Sequence, residues 1–179
     1  NVLGRLATEW RIVEPASDNG VAHFDALLRL RKNCDPADIV AELEAQGRER
    51  TAPTYLTLSN WALSQQWAGQ YLPAVRKWEK AKALAHELFP ERGLQFFELR
   101  AYGPALSLVG RNDEAVAIAD ELVARSRAGG RAELISHLLL AARVLAEAGR
   151  KEPAAELLEE AEALLSAEPS PSPTTLAAL

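Results

Sequence analysis

Apolar residues recur along most of this chain at steps of three and four, the spacing that places them on one face of an α-helix. The segment from 74 to 88 shows the pattern, with apolar positions at Ala74, Trp78, Ala81, Ala85 and Leu88. Shorter stripes return downstream, at Ala115, Ala119 and Leu122 and at Ala154, Leu158 and Ala161. Good helix formers dominate and alternating strand-like runs are absent, so the pattern predicts an all-α fold.

Glycines mark the predicted turns between paired helices. Gly69, Gly110 and Gly149 each stand shortly before one of these stripes, and they are 41 and 39 residues apart. Glycine readily adopts the left-handed backbone conformation that ends a helix. A repeat on this scale predicts antiparallel helix-turn-helix pairs stacked side by side.

The same features divide the chain into repeats. We predict a helical repeat domain over 1–168, in which the clear repeats are 55–90, 94–130 and 133–168. A degenerate hairpin is expected over 18–50, because Asp35, Pro36 and Ala37 form a helix start while Lys32 replaces the turn glycine. A leading helix is expected over 1–14. The prolines and serines of 168–173 cannot form a helix, and the Pro/Ser-rich segment 169–179 is predicted to be a tail or linker.

These residues resemble the tetratricopeptide repeat (TPR) family, clearly over about 55–168 and faintly over 18–50. The matching positions are Trp61, Ala62, Gly69, Tyr71, Ala74, Trp78 and Ala81, then Gly103, Gly110 and Ala115, then Ala142, Gly149, Ala154, Leu158 and Ala161. The resemblance implies a short right-handed α-solenoid. The spacings exceed the usual repeat of about 34 residues, and in this they resemble the long repeats of bacterial maltose-activator-type signal-transduction regulators.

One position departs from the family pattern. Pro104 falls inside the predicted first helix of the middle repeat, next to Gly103. Proline has no N–H, so it leaves the carbonyl of Arg100 without its helical donor. We therefore predict a kink or a helix start at Pro104.

Composition and charge narrow the function classes. The net charge of −5 argues against direct nucleic-acid binding by this segment. No apolar run reaches the length of a membrane span, and the single cysteine, Cys34, excludes an internal disulfide. There is no Met, so we expect a segment of a longer protein, and we expect it to be cytoplasmic.

No set of residues forms a recognisable catalytic or metal-binding motif. His23, His86 and His137 are far apart, and none has a second ligand at metal-binding spacing. The glutamates of 156–162 lie away from the apolar stripe and are interpreted as a solvated face. The sequence predicts no enzyme activity, no cofactor and no metal.

By the family's geometry, the first helix of each pair lines a concave surface. The residues expected to face it are Leu56, Ser59, Leu63, Gln66, Trp67, Phe97, Arg100, Ser107, Ser136, Leu139 and Arg143. Apolar side chains and two arginines suit an extended peptide or a helix that carries a carboxylate.

Two functions remain open at this point. The first is a protein-interaction scaffold that binds a peptide or protein segment in the groove, as a regulatory segment of a larger bacterial protein. The alternative is an effector-sensing domain of a transcription regulator, with a small molecule held among Trp67, Phe97 and Arg100 and with Pro104 as the two-state element. The oligomeric state is not determined by the sequence.

Overall fold

The computed structural model describes residues 34–129 and 133–167, together with Ala26, Arg29 and Lys32. Within this part of the chain every regular element is an α-helix, which confirms the predicted all-α fold. Seven helices have described bounds, and they are α1 (Pro36–Ala45), α2 (Ala52–Trp67), α3 (Tyr71–Leu88), α4 (Phe96–Leu108), α5 (Asn112–Gly129), α6 (Leu134–Glu147) and α7 (Lys151–Ser166). The predicted leading helix and the Pro/Ser-rich tail lie outside the described residues.

The first of two compact units ends at Leu94. Its main feature is the hairpin of α2 and α3, which pack against each other around the small residues Ala62, Ala74 and Ala81, all fully buried. Small residues allow two helices to approach closely, and the large Trp78 ring fills the space beside the contact. The hairpin therefore has the contact pattern expected from the stripe on α3.

Helix α1 adds a third helix to this unit by packing on α2. It begins as predicted, because the Asp35 carboxylate accepts a hydrogen bond from the Ala37 N–H and Pro36 occupies the first turn. Ile39 and Leu43 of α1 are buried in a cluster with Ala26, which is itself helical. Most of the predicted partner helix of α1 lies outside the described residues.

The second compact unit begins at Gln95 and contains two hairpins, α4 with α5 and α6 with α7. Helix α5 also packs on α6, and α4 contacts α6, so neighbouring hairpins lie against each other within this unit. Both turns are closed by glycine, with φ of 77° at Gly110 and at Gly149. These left-handed glycines confirm the turn chemistry predicted from the sequence.

Pro104 does not begin a helix. Helix α4 runs from Phe96 through Pro104 to Leu108, so the predicted helix start is wrong. The true start is fixed upstream by a capping box, in which the Glu98 carboxylate accepts from the Gln95 N–H at 2.7 Å. A kink at Pro104 stays a prediction.

Candidate partner-binding surfaces

In the first unit, the predicted surface residues of α2 differ in exposure. Trp67, the last residue of α2, is 82% exposed. Leu63 and Gln66 are half-buried, whereas Leu56 and Ser59 are buried. Neither of the buried residues is available to a partner at the surface. The accessible apolar group of this unit that sequence analysis identified is thus the Trp67 ring, at the end of the helix.

The polar neighbours of this surface are partly engaged within the hairpin. The Trp78 indole N–H donates to the Gln66 side-chain oxygen at 3.3 Å. The Lys77 ammonium lies 3.9 Å from the centre of the Trp61 ring, a cation–π contact. Burial lowers the pKa of Lys77, and the nearby Lys80 lowers it further. Gln66 and Trp61 therefore have structural contacts in the hairpin, while Trp67 remains exposed.

In the second unit, α4 presents an exposed stripe along its length. Phe97 is 40% and Leu108 is 59% exposed, and Arg100 is exposed between them. Positions 97, 100, 104 and 108 follow steps of three and four, so they share one face of the helix. Sequence analysis identified Phe97 and Arg100 but missed Leu108, although its spacing from Pro104 was a usable signal. The stripe combines apolar side chains with one cation.

Ser107 is the third predicted surface residue on α4. It is half-buried, and its hydroxyl oxygen is inaccessible and has no hydrogen-bond partner among the described residues. A side chain in this position contributes little to a surface contact. Phe97, Arg100 and Leu108 are the larger accessible groups of this helix.

The predicted residues of α6 lie on a helix that contacts α4. Ser136 and Leu139 are half-buried, and Arg143 is exposed. The Ser136 hydroxyl donates to the Glu133 backbone carbonyl at 2.8 Å, so it helps to close the first turn. Arg143 has only a loose ion pair with Glu147, at 3.8 Å. Its guanidinium is therefore available for a stronger carboxylate partner.

A buried polar cluster lies at the junction of α4, α5 and α6. His137 is 1% exposed, and its ring is stacked on Phe96 with centres 5.4 Å apart and 14° between the planes. Its Nδ1 lies 2.5 Å from the Ser126 hydroxyl oxygen. The Arg125 guanidinium lies 5.0 Å from the centre of the Phe96 ring. The sequence offered His137 only as an isolated histidine, because its partners come from other helices.

Burial lowers the pKa of His137, and the positive charge of Arg100 lowers it further, while Glu133 raises it. The largest effect is desolvation, since a charged imidazole is poorly solvated in a protein interior. His137 is thus held in its neutral form by its surroundings.

The described residues contain no group of three or more His, Cys, Asp or Glu side chains placed to hold a metal ion. None of the helices in this part of the chain is long and apolar enough to cross a membrane. Of the glutamates in 156–162, Glu160 pairs with Arg127 of α5, and Glu156, Glu159 and Glu162 are exposed. The residues of the predicted small-molecule site belong to different units, Trp67 to the first and Phe97 and Arg100 to the second, and that site stays a prediction.

No protein-family model matches this chain, and no curated protein matches it. Two solved structures are similar to it, both of nearly identical TPR-like repeats from a kinesin light chain-like protein of Podosopora anserina. The first has a TM-score of 0.70 at 21% identity, and the match covers 88% of this chain and 80% of the chain in that structure. The second, a single-residue variant of those repeats, has a TM-score of 0.71 at 20% identity, and the match covers 93% of this chain and 84% of the chain in that structure. At these identities the likeness concerns the fold, and this chain has an all-α, TPR-like helical repeat fold.

Proposed function

We propose that this chain is a protein-interaction scaffold that binds a peptide or a segment of a partner protein on the exposed faces of the first helices of its hairpins. The observation that carries the proposal is the stripe on α4, where Phe97, Arg100 and Leu108 are exposed on one face. The TPR-like repeat fold supports it, because stacked hairpins offer a rigid surface that loses little entropy on binding.

The apolar part of the stripe supplies affinity. Burying apolar surface contributes roughly 25 cal/mol per Å², and aromatic side chains are frequent anchors in interfaces. Phe97 and Leu108 together offer such surface at opposite ends of α4, about 16 Å apart for a rise of about 1.5 Å per residue. An extended peptide or one face of a short helix spans this distance.

The arginines supply orientation. Arg100 lies between the two apolar positions, and Arg143 projects from the neighbouring helix α6. A guanidinium can donate two parallel hydrogen bonds to a carboxylate, which fixes the register of the bound segment. The preferred partner segment therefore has apolar side chains and at least one carboxylate.

The first unit offers a separate contact. Trp67 presents a large ring, 82% exposed, that a partner can bury. We infer that it serves as a second anchor for a partner protein, independently of the α4 stripe.

The biological setting that we propose is a regulatory segment of a larger bacterial cytoplasmic protein. The support is the resemblance of the long repeats to those of maltose-activator-type regulators, in which such repeats receive a signal from a ligand or a protein. Sequencing of the flanking regions tests this setting directly, because an adjoining DNA-binding or ATPase domain would be expected there.

Selection from a random peptide library on the immobilised chain tests the binding function. We expect enriched sequences to combine apolar residues with Asp or Glu. The double variant Arg100→Ala/Arg143→Ala should bind the selected peptides at least about tenfold more weakly, since a hydrogen bond to a charged group contributes roughly 1.5–3 kcal/mol. Its melting temperature should match that of the wild-type protein, because both side chains are exposed.

Arg76→Ala is the matched control, because Arg76 is an exposed arginine on α3 of the first unit. We expect it to bind the selected peptides with wild-type affinity. Wild-type affinity of the double variant would show that the arginines of α4 and α6 take no part in recognition.

A further inference from the structure

His137 joins three helices through its ring. It belongs to α6, its ring lies on Phe96 of α4, and its Nδ1 meets the Ser126 hydroxyl of α5. The side chain is 1% exposed. Because this titratable side chain contacts all three helices, a change in its charge affects how the three helices pack.

The hydrogen bonds fix the tautomer of the ring. The Ser126 hydroxyl donates its single proton to the Leu122 carbonyl at 2.8 Å. Ser126 Oγ must then accept from His137, so the neutral ring carries its proton on Nδ1. The other nitrogen, Nε2, is inaccessible and has no hydrogen-bond partner among the described residues.

A second proton would have to bind at this Nε2. The Glu133 carboxylate lies 3.9 Å away, beyond hydrogen-bond distance, and its side chain is half exposed. Two cations face the same junction, Arg100 from α4 and Arg125 from α5, the latter over the Phe96 ring. A charged imidazole would therefore be buried near the positive charge of Arg100, with the Glu133 carboxylate at a distance to balance it.

The other nearby carboxylates have contacts of their own. Glu121 of α5 accepts from the Arg125 guanidinium at 3.2 Å. The buried Glu98 of α4 accepts from the Gln95 backbone N–H. The carboxylate that acts directly on His137 is thus that of Glu133, which raises the pKa less than burial and Arg100 lower it.

We propose that His137 is a pH-sensitive latch, whose neutral form holds α4 against α5 and α6 and whose protonated form loosens this contact. A proton on Nε2 would be buried without a hydrogen-bond acceptor, so we expect the charged ring to shift toward solvent and the Glu133 carboxylate, which weakens the stack on Phe96 and the bond to Ser126. Because α4 carries Phe97 and Arg100, a shift of α4 also disturbs the α4 stripe. That last step rests on the proposed function, whereas the latch itself does not.

The sign of the effect follows from the direction of the pKa shift. The unfolded chain binds the proton near pH 6.5, and the folded chain binds it at a lower pH. The stability that His137 contributes is therefore complete above pH 6.5 and is lost as the pH falls through the lowered pKa.

Titration of the imidazole signals by NMR, without any partner, tests the latch. We expect His137 to titrate below pH 6.5 and the amide signals of α4 and α6 to change with the same midpoint. Arg100→Gln should raise the pKa of His137, and Glu133→Gln should lower it. Both changed side chains are exposed, so both variants should fold.

His137→Asn identifies the signal and adds a second readout, because its amide can still donate to Ser126. The urea midpoint of the wild-type protein should decrease when the pH is lowered from about 7.5 to about 5, and the midpoint of this variant should decrease less. His86→Gln, which changes an exposed histidine on α3, is the control and should behave like the wild type.

The proposal would be overturned if His137 titrated near pH 6.5 without a shift, or if the α4 amide signals did not change as His137 titrates. Should His137→Asn not fold, the opposite shifts that Arg100→Gln and Glu133→Gln cause in the pKa of His137 still test the proposal. The peptide-binding proposal is tested separately at about pH 7.5, where His137 is neutral, so failure of one proposal can be told from failure of the other.

Discussion

Glycine at the hairpin turns shows how a single residue type determines local geometry. Gly69, Gly110 and Gly149 have φ of 75°, 77° and 77°, in the left-handed region that costs other residues free energy. Gly103 has a different role. It lies within α4, and a methyl group added there would sit 3.4 Å from Ile118 of α5, an ordinary contact distance.

Substitution by alanine should separate the two roles. Gly110→Ala should lower the free energy of unfolding by about 1 kcal/mol, because the added Cβ meets open space but the backbone conformation is strained. Gly103→Ala should change it less, because alanine favours a helix interior by up to about 1 kcal/mol while its Cβ crowds the ring of the following Pro104. Urea denaturation measures both, and equal losses in the two variants would contradict this interpretation.

At the scale of the element, α4 combines a strong start with a weak middle. Its first turn is closed by the capping box of Gln95 and Glu98, while Pro104 removes one backbone hydrogen bond in the interior. The helix continues through the proline because its buried face, including Leu99 and Leu106, packs in the core. Tertiary packing thus overrides a local signal that predicted a helix start.

Pro104→Ala should therefore stabilise the second unit. The restored N–H can donate to the Arg100 carbonyl, and we expect a gain of about 2 kcal/mol after allowing for the greater freedom of the unfolded chain. Urea denaturation checks the gain. Pro153→Ala is the control, because Pro153 lies in the first turn of α7, where N–H groups have no helical acceptor, and it should change stability little. A loss in the Pro104 variant would mean that the proline is favourable in its context.

At the scale of the molecule, apolar packing and exposed ion pairs contribute unequally to the free energy of unfolding. Arg127 pairs with Glu160, and Arg150 pairs with Asp113 at 3.3 Å, so both pairs connect the α5 helix with the second hairpin of its unit. The Glu160 interaction raises the pKa of Arg127, yet the pair is close to solvent. Exposed ion pairs contribute little, so the interior, where Leu138 is fully buried, should dominate the stability.

Two substitutions in the second unit compare these contributions. Leu138→Ala should cost about 2–5 kcal/mol, because it removes buried volume that neighbouring side chains cannot refill. Glu160→Gln keeps the shape of the side chain and should cost less than about 1 kcal/mol. Urea denaturation of the two variants at equal salt checks the ranking, and a larger loss for Glu160→Gln would show that charge pairing dominates.

The sequence by itself determined the all-α class, the glycine turns and the start of α1. These features depend on neighbours within a few residues, through helical spacing, left-handed glycine and the Asp35 cap. It also placed Trp78 on the apolar stripe of α3, where the ring is buried, and it placed Trp67 on the predicted partner-binding surface, where the ring is exposed.

The tertiary structure alone decided which surface positions are accessible and what surrounds His137. Leu56 and Ser59 are buried although their spacing matched the predicted groove; they lie on α2, which packs against both α1 and α3. The partners of His137 come from α4 and α5, so no local pattern could reveal them. Burial and charge environment are sums over neighbours in space, and a linear pattern records only neighbours along the chain.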